Sequence, residues 1–210
     1  MARVAVVDYG AGNVGSVLRA LRHVGADAEA CSTPDQLRSA AAIVFPGQGH
    51  FGQAVRHLHA AGMWSVVDAA CKGDLPFLGI CLGLQLLADG SDEAPEAAGL
   101  GRLRGRCVAF QPPLKVPQVG WNAVHAAKPG TPLDAVPTGS HFYFVHSYHC
   151  ALQDMDAIAG LSDYGAPFVA AASRDNLFAV QFHPEKSGDA GLTLLRAWLA
   201  GHQLLDGTAT

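Results

Sequence analysis

The chain has 210 residues, of which half are hydrophobic and 15% are charged, and its formal net charge is −4. This length predicts one domain with a sizeable core, assigned to residues 1–203, and a short C-terminal tail over residues 204–210. The acidic balance and the lack of lysine and arginine clusters argue against a nucleic-acid surface. Every apolar stretch is shorter than the ~18 residues of a membrane helix. A strand-like segment follows the first residues directly, so we expect no signal peptide and a cytoplasmic protein.

The first half of the chain alternates short apolar runs with amphipathic segments. We expect a buried strand over Arg3–Asp8 and further strands over Asp27–Cys31, Ala42–Phe45 and Pro76–Ile80. Helical patterns follow these strands: from Asn13 or Ser16 to about His23, from Thr33, from beyond Gly49 to about Cys71 with a break near Gly62, and over Leu82–Ala88. This βαβαβαβα order predicts a parallel sheet with helices on both faces.

The second half of the chain has a different pattern, with short strand-like runs separated by turns. We expect strands over Val116–His125, His141–Cys150, Ala157–Ser162, Pro167–Ala172 and Leu177–Gln181, and a closing helix over Ser187–Ala200. We interpret Gly90–Gly105 as a surface loop and Asp206–Thr210 as a frayed end. The predicted fold class is therefore α/β with three layers: a mostly parallel central sheet flanked by helices, with antiparallel additions at its edge.

A pentapeptide at the end of the fourth apolar run, Gly79-Ile80-Cys81-Leu82-Gly83, indicates a thiol nucleophile. The chain's other cysteines are widely spaced, and we expect them to be mostly structural free thiols: Cys31, Cys71, Cys107 and Cys150. Cys81 differs because a glycine lies two residues away on either side at a strand-to-helix junction, which is the pattern of a nucleophile elbow. The helix that follows would aim its first N–H groups at the sulfur and favour the thiolate.

A base for this thiol is found near the C-terminus, in Gln181-Phe182-His183-Pro184-Glu185. His183 could take and return a proton while Glu185 holds its far nitrogen. Acyl chemistry also needs an oxyanion hole, for which the N–H of Leu82 and the turn Gly47-Gln48-Gly49 are the candidates. Ligands bind beyond the carboxyl ends of parallel strands, so the turn and the elbow should share one cleft. The alternative is a pair of ordinary polar turns.

A second glycine-rich motif, near the N-terminus, offers an alternative candidate site. Gly10-Ala11-Gly12-Asn13-Val14-Gly15 matches the dinucleotide-binding fingerprint, with Asp27 or Glu29 as the ribose-binding acid. These acids come at the start of the second strand, whereas the fingerprint needs one at its end. That position favours a turn with close helix–strand packing over a nucleotide site.

Ten histidines raise the question of a metal site. His57 and His59 fall on different faces of a helix, which makes them a poor chelate. Alternation along the predicted strand puts His146 and His149 on opposite faces. No set of three ligands emerges, with His141 included, and we expect neither a metal nor a cofactor.

The cysteine and His-Pro-Glu motifs together resemble those of the class I (triad-type) glutamine amidotransferases. Further blocks resemble one subfamily of these, the glutaminase subunits of imidazole glycerol phosphate synthase. The blocks extend over nearly the whole chain: Val7–Asn13, Pro46–Gly49, Pro117–Asn122, His141–Tyr148 and His183–Gly188. In that family the first block is a turn near a subunit interface, which removes the dinucleotide interpretation.

The resemblance implies a role for each matching residue. Cys81 would attack the side-chain amide of glutamine, His183 would protonate the leaving ammonia and then activate water, and Glu185 would orient His183. The oxyanion would be stabilised by the backbone at Gly47, Gln48, Gly49 and Leu82. The substrate would be held by Gln85, His146, Ser147 and Tyr148.

The resemblance also implies a partner. Ammonia would pass to a (β/α)8-barrel cyclase subunit in a heterodimer, where it would join a phosphoribulosyl intermediate to give imidazole glycerol phosphate and AICAR. The residues that match the face toward that barrel are Asn13, Trp121, Asn122, Tyr143 and Lys186.

One position departs from the family pattern, because Gln48 stands where a valine is common in the oxyanion turn. A backbone donor is indifferent to its own side chain, so we expect function to survive, with an effect on how readily the turn rearranges. Two alternatives stay open at this stage. One is the glutaminase subunit of another class I amidotransferase, such as those of anthranilate or pyridoxal phosphate synthesis. The other is a non-catalytic α/β nucleotide-binding module.

Overall fold

The computed structural model describes residues 2–10 and 12–205. Ala11 of the N-terminal glycine turn and residues 206–210 of the predicted tail lie outside the described residues. The helices are α1 (Val14–His23), α2 (Pro34–Arg38), α3 (Phe51–Ala60), α4 (Trp64–Lys72), α5 (Leu82–Leu87) and α6 (Gly188–Gly201), with 3-10 turns at Pro132–Ala135, Met155–Ala157 and Pro184–Lys186.

The strands of the first half are β1 (Val4–Val7), β2 (Ala28–Cys31), β3 (Ala42–Phe45), β4 (Phe77–Ile80), β5 (Ala88–Ser91), β6 (Ala94–Ala98) and β7 (Leu103–Ala109). Those of the second half are β8 (Gln118–Ala126), β9 (Ser140–His146), β10 (Tyr148–Leu152), β11 (Ile158–Asp163), β12 (Pro167–Arg174) and β13 (Leu177–Val180). The helical break near Gly62 is confirmed, since α3 ends and α4 begins on either side of it, and this glycine has a φ of +65°.

The central sheet confirms the predicted fold class. Its strand order is β2-β1-β3-β4-β13-β12-β11-β8-β9. Pairing is parallel from β2 to β13 and antiparallel from β13 to β9. Apolar clusters cover the two faces of the sheet. Strands β1, β3 and β4 are fully buried because their side chains are apolar on both faces. Strand β2 lies at the edge of the sheet and leaves Glu29 and Ala30 exposed.

The register of the parallel strands positions the site. Phe45 pairs with Gly79 across β3 and β4, and Val180 pairs with Ile80 across β13 and β4. The carboxyl ends of the three strands therefore lie side by side at one edge of the sheet. The residues that come next in the chain, including Cys81, meet there.

The interpretation of Gly90–Gly105 as a surface loop is wrong. This segment contains the end of β5, all of β6 and the start of β7, and it joins a second sheet with the order β10-β7-β5-β6. The segment is rich in alanine and glycine, which carry little strand propensity. Its strands exist because Ala94 and Leu103 are buried against the core and because Gly99 packs tightly on the backbone at Ala88.

The single strand predicted over His141–Cys150 is also wrong, because the chain changes sheets at Ser147. β9 ends at His146, which pairs with Gln118 in the central sheet, and β10 begins at Tyr148, which pairs with Ala109 in the second sheet.

The change of sheet breaks the side-chain alternation, so His146 and His149 do not lie on opposite faces of one strand. Their rings both contact Phe110, at centroid distances of 5.2 and 4.7 Å. Within the described residues, no group of three or more histidine, cysteine or acidic side chains is arranged to hold a metal ion. None of the described helices has the length and hydropathy needed to cross a membrane.

An ion cluster joins the two sheets. Asp154 is 4% exposed and pairs with Arg104 of β7 and Arg174 of β12, at 2.7 Å in each case. The hydrogen bonds from Arg174 and Arg104 hold the pKa of Asp154 well below its usual range. The second sheet, which forms one wall of the site, is thus tied to the central sheet away from the cleft.

Candidate active site

Cys81 follows β4 directly and stands at the start of α5. Its backbone has φ +53° and ψ −102°, a conformation that non-glycine residues rarely adopt and that costs on the order of 1–3 kcal/mol. A Cβ on Gly79 would lie 2.8 Å from the Gly83 carbonyl carbon, and a Cβ on Gly83 would overlap the Phe45 carbonyl oxygen. The flanking glycines are therefore required by close backbone approach, and the turn pushes the thiol away from the sheet.

His183 lies just beyond β13 and is held from several sides. Its Nδ1 is 2.8 Å from Oε1 of Glu185, and both side chains are almost completely buried. Its backbone N–H donates to the Tyr143 carbonyl at 2.9 Å, and its carbonyl accepts from the Ser187 hydroxyl. Because Nδ1 bonds a carboxylate, that nitrogen carries a proton and Nε2 is left for the thiol. Nε2 is buried and has no hydrogen-bond partner among the described residues.

Glu185 explains an unexpected feature of α1. Of the two predicted N-caps of that helix, Asn13 and Ser16, Asn13 occupies the position. Its side chain, however, makes no capping hydrogen bond. Its Nδ2 instead donates to Oε1 of Glu185 at 3.3 Å. The carboxylate oxygen that holds His183 is thereby held in turn by a residue that the sequence assigned to the partner interface.

The charge state of His183 follows from its surroundings. Burial alone would lower its pKa, but the charge of the Cys81 thiolate and the contact with Glu185 outweigh burial and raise the pKa of His183 to about 10. His183 is thus set up to carry a positive charge beside Cys81 near neutral pH.

Replacing Cys81 by alanine is expected to lower the pKa of His183, because the thiolate is the largest of the influences that raise it. With a folded pKa above the ordinary value of about 6.5, the stability that this charge contributes is complete below about pH 6.5. It is lost as pH rises through about 10 in the wild type, and at lower pH in the variant. Titration of the His183 ring protons by NMR measures the shift. The ring of His202, at the end of α6, serves as the control, and an unchanged His183 titration would contradict the expectation.

The predicted substrate residues lie around one cavity with Cys81. The cavity has a volume of about 380 Å³ and also includes Gln48, Gly49 and Leu82 from the predicted oxyanion set. The predicted substrate residues that line it are Gln85, His146, Ser147 and Tyr148. Burial lowers the pKa of His146 to about 4, so this imidazole is neutral, and its Nδ1 bonds the Tyr148 carbonyl at 2.8 Å.

The turn that follows β3 packs tightly on the elbow. Gly47 does not line the cavity, because it is pressed against Leu82 so closely that a Cβ would overlap the Leu82 side chain. Gly49 has φ +106°, a left-handed conformation that favours glycine. On its other side the turn contacts the N-terminal glycine motif, where a Cβ on Gly12 would lie 3.6 Å from the Pro46 carbonyl oxygen.

The predicted interface residues fall into separate places. Tyr143 and Lys186 line the cavity, and the Lys186 ammonium lies 5.8 Å from the centre of the Tyr143 ring. Trp121 is 54% exposed and its ring packs edge-on against Tyr143. Asn122 does not face the cavity, since its side-chain nitrogen donates to the Asp163 carbonyl.

The comparison with known proteins decides the family. The model of the class-I glutamine amidotransferases matches residues 5–200. The chain belongs to this family. In solved structures the amidotransferase fold recurs at low identity. A structure titled crystal structure of glutamine amidotransferase aligns with a TM-score of 0.75 at 19% identity, covering 95% of this chain and 98% of the other. The PurLQS structure from Thermotoga maritima gives 0.74 at 19% identity, covering 95% and 98%.

Curated relatives are closer in sequence. A protein of Herpetosiphon aurantiacus named imidazole glycerol phosphate synthase subunit HisH is 45% identical over 93% of both chains. Proteins of the same name are 45% identical in Methylococcus capsulatus, over 95% of this chain and 96% of the relative, and 43% identical in Desulfitobacterium hafniense, over 91% of both.

Two polar residues at the amidotransferase cleft had no role assigned from the sequence. Glu93 lines the cavity, and its Oε2 accepts from the Phe51 N–H at the start of α3, at 2.7 Å. It was missed because its segment was interpreted as a loop. Gln181 is completely buried and contacts Cys81. It stands in the Gln-Phe-His-Pro-Glu motif, but nothing in the motif says which way its side chain faces.

Proposed function

We propose that this chain is the glutaminase subunit of imidazole glycerol phosphate synthase and hydrolyses glutamine to glutamate and ammonia. The observation that carries the proposal is the strained Cys81 elbow, which lines a cavity and lies beside a buried histidine–carboxylate pair. Relatives of that name at 43–45% identity over nine-tenths of the chain or more support the assignment to this amidotransferase.

In the proposed mechanism the Cys81 thiolate attacks the side-chain carbonyl carbon of glutamine. The imidazolium of His183 gives its proton to the leaving nitrogen, ammonia departs, and a thioester remains on Cys81. His183 then takes a proton from water, which attacks the thioester and releases glutamate. Glu185 keeps the proton on Nδ1 of His183 throughout, so that Nε2 does the exchange.

The oxyanion of each tetrahedral intermediate would be bound by the N–H of Leu82 and by backbone from Gly47, Gln48 and Gly49. The contact between this turn and the elbow supports the proposal. The amino-acid end of glutamine would lie against His146, Ser147 and Tyr148, with Gln85 beside them. We add Glu93, whose carboxylate faces the same cavity and offers a charge for the substrate ammonium.

The proposed partner is a (β/α)8-barrel cyclase that forms a heterodimer with this chain, receives the ammonia, and makes imidazole glycerol phosphate and AICAR. Its docking face would include Asn13, Trp121, Asn122, Tyr143 and Lys186. An exposed apolar patch on β8, made by Val119 at 60% and Trp121 at 54% exposure, supports this placement. A cytoplasmic setting is part of the proposal, because a thiol nucleophile must stay reduced, and all five cysteines are free thiols.

Glutamine hydrolysis is expected to depend on the partner. Ammonia that is released without an acceptor is lost to water. The proposal therefore includes gating: the turn Gly47-Gln48-Gly49 stabilises the oxyanion only when the cyclase and its nucleotide ligand are bound. Glutaminase turnover is measured for the chain alone, with the cyclase, and with the cyclase and its ligand. We expect a rise of about 5- to 150-fold at the last step, since coupling free energies are typically about 1–3 kcal/mol. Full activity of the chain alone would contradict the gating.

The assignment to this amidotransferase, rather than to another of the same family, is tested by co-purification with candidate synthase subunits. Selective alkylation of Cys81 by a glutamine-analogue electrophile tests the enzymatic function itself. A non-catalytic binding module would show no selective reaction at this thiol.

A further inference from the structure

Gln181 contacts the reacting sulfur but belongs to neither the proposed triad nor the proposed oxyanion hole. It follows β13 directly, its side chain is completely buried, and its Nε2 lies 3.5 Å from Sγ of Cys81. Its backbone N–H donates to the Ala170 carbonyl at 2.8 Å, which fixes its position at the end of the sheet. A buried amide at this distance from sulfur either donates an N–H to it or opposes it with a carbonyl oxygen.

The neighbouring contacts decide which end of the amide faces the sulfur. The Tyr148 carbonyl can only accept, so the end of Gln85 that lies 2.9 Å from it must be the Nε2 amide. The same Nε2 lies 3.3 Å from the side chain of Gln181, which must therefore present its oxygen to Gln85. The remaining end of Gln181, its NH₂ group, faces Cys81. The Tyr148 carbonyl thus sets the direction of each hydrogen bond in a relay that runs through Gln85 and Gln181 to Cys81.

We propose that Gln181 is a catalytic residue that stabilises the thiolate of Cys81 by donating an N–H to its sulfur. The proposal rests on the proposed function, because it concerns the same nucleophile. A thiolate buried beside one imidazolium gains a second partner from this amide, and hydrogen bonds to charged acceptors are stronger than those to neutral ones. A neutral thiol accepts such a bond only weakly, so the donor favours the charged form.

The role recurs in both halves of the reaction. When the thiolate attacks, a C–S bond forms and the sulfur loses its charge, so the hydrogen bond that Gln181 donates to the sulfur weakens. When water has attacked the thioester, the C–S bond breaks, the electron pair returns to sulfur, and Gln181 again meets a thiolate as the leaving group. The proton from water passes to His183, which restores the starting ion pair.

The relay also joins the sulfur to the wall of the substrate cavity. The Tyr148 carbonyl accepts from Gln85 and from Nδ1 of His146, at 2.9 and 2.8 Å. Tyr148 and His146 line the cavity in which we place glutamine. The orientation of the amide at Cys81 is therefore maintained by the same segment that borders the substrate.

Replacement of Gln181 by leucine removes the donor at similar volume and is expected to slow alkylation of Cys81 by iodoacetamide about tenfold near neutral pH. This is the effect of one hydrogen bond to a charged group. The deficit should close at strongly alkaline pH, where both proteins are fully thiolate. Alkylation is followed at each cysteine by mass spectrometry. Gln181→Glu, which is isosteric and places an acceptor against the sulfur, should show at least the same loss and covers the case in which the leucine variant does not fold.

Gln118→Leu is the matched control, because Gln118 is another buried glutamine, 2% exposed, and stands in β8 rather than beside Cys81. Its alkylation profile should equal that of the wild type. Equal rates in wild type and both Gln181 variants would overturn the proposal, and so would a deficit that persists at every pH, which indicates altered access to the thiol. If wild-type Cys81 itself reacts no faster than the other cysteines, the proposed thiol function fails instead.

Discussion

Replacement of Cys81 by alanine is expected to abolish glutamine hydrolysis, with a loss of at least about 10⁴-fold in turnover. No other described side chain in the cavity offers a thiol to attack the amide. Synthesis that uses added ammonia in the complex with the cyclase should continue, because the variant removes the source of ammonia and leaves the partner's active site in place. Glutamate release and product formation are measured separately, with glutamine or with an ammonium salt.

Cys71→Ala provides the control for this experiment. Cys71 is a buried thiol in α4, and burial raises its pKa to about 12, so it is an inert core residue. We expect this variant to lose some stability through the smaller side chain and to keep hydrolysis. Loss of both glutamine-dependent and ammonia-dependent synthesis in Cys81→Ala would contradict the nucleophile assignment and indicate a structural role.

Replacement of Gly83 by alanine is expected to cost stability and activity together. The added Cβ would overlap the carbonyl oxygen of Phe45, which is backbone at the end of β3 and has little room to move. Overpacking of this kind costs about 1–3 kcal/mol, and a shift of the elbow by about 1 Å would lower turnover on the order of 10²-fold. The free energy of unfolding is obtained from denaturant titration, and turnover from glutamate release.

The control for this variant is the same substitution in a glycine with space around it. A Cβ on Gly15, in α1, would meet only the end of the Arg19 side chain at 3.6 Å. Gly15→Ala should leave turnover unchanged in the same assay and raise stability by up to about 1 kcal/mol, because alanine is the better helix former. If Gly83→Ala were as stable and active as the wild type, the close approach at the elbow would not constrain the site.

The parallel half of the sheet could be predicted from the sequence because its signals are local. Runs such as Val4–Val7 and Ala42–Phe45 are apolar at every position, which is what a strand covered on both faces requires. Glycines around Cys81 likewise mark a sharp turn. Of the chemistry-bearing residues that we named, Cys81 follows such a strand directly and His183 lies just beyond the end of another.

Strands β5 and β6 of the second sheet could not be predicted because they are not selected by their own residues. β6 consists mainly of alanine and contains a proline, and β5 contains a glycine. These residues are extended because neighbouring strands and the core hold them in place. A short stretch of sequence does not show that tertiary context. The change of sheet at Ser147 was missed for a related reason, since a single residue separates β9 from β10 and both flanking segments have strand-like sequences.

The sequence by itself determined which residue types carry the chemistry and at which strand ends they stand. Apolar runs and glycine spacing are local properties, which can be recognised without knowing which residues become neighbours in the fold. Only the tertiary structure decided how those residues are held: Asn13 on Glu185, Gln85 on Tyr148, and Gln181 on Cys81. Each pair is more than 60 residues apart in the chain. The orientation of a buried amide depends on which polar groups surround it after folding, because each buried donor and acceptor must be satisfied there.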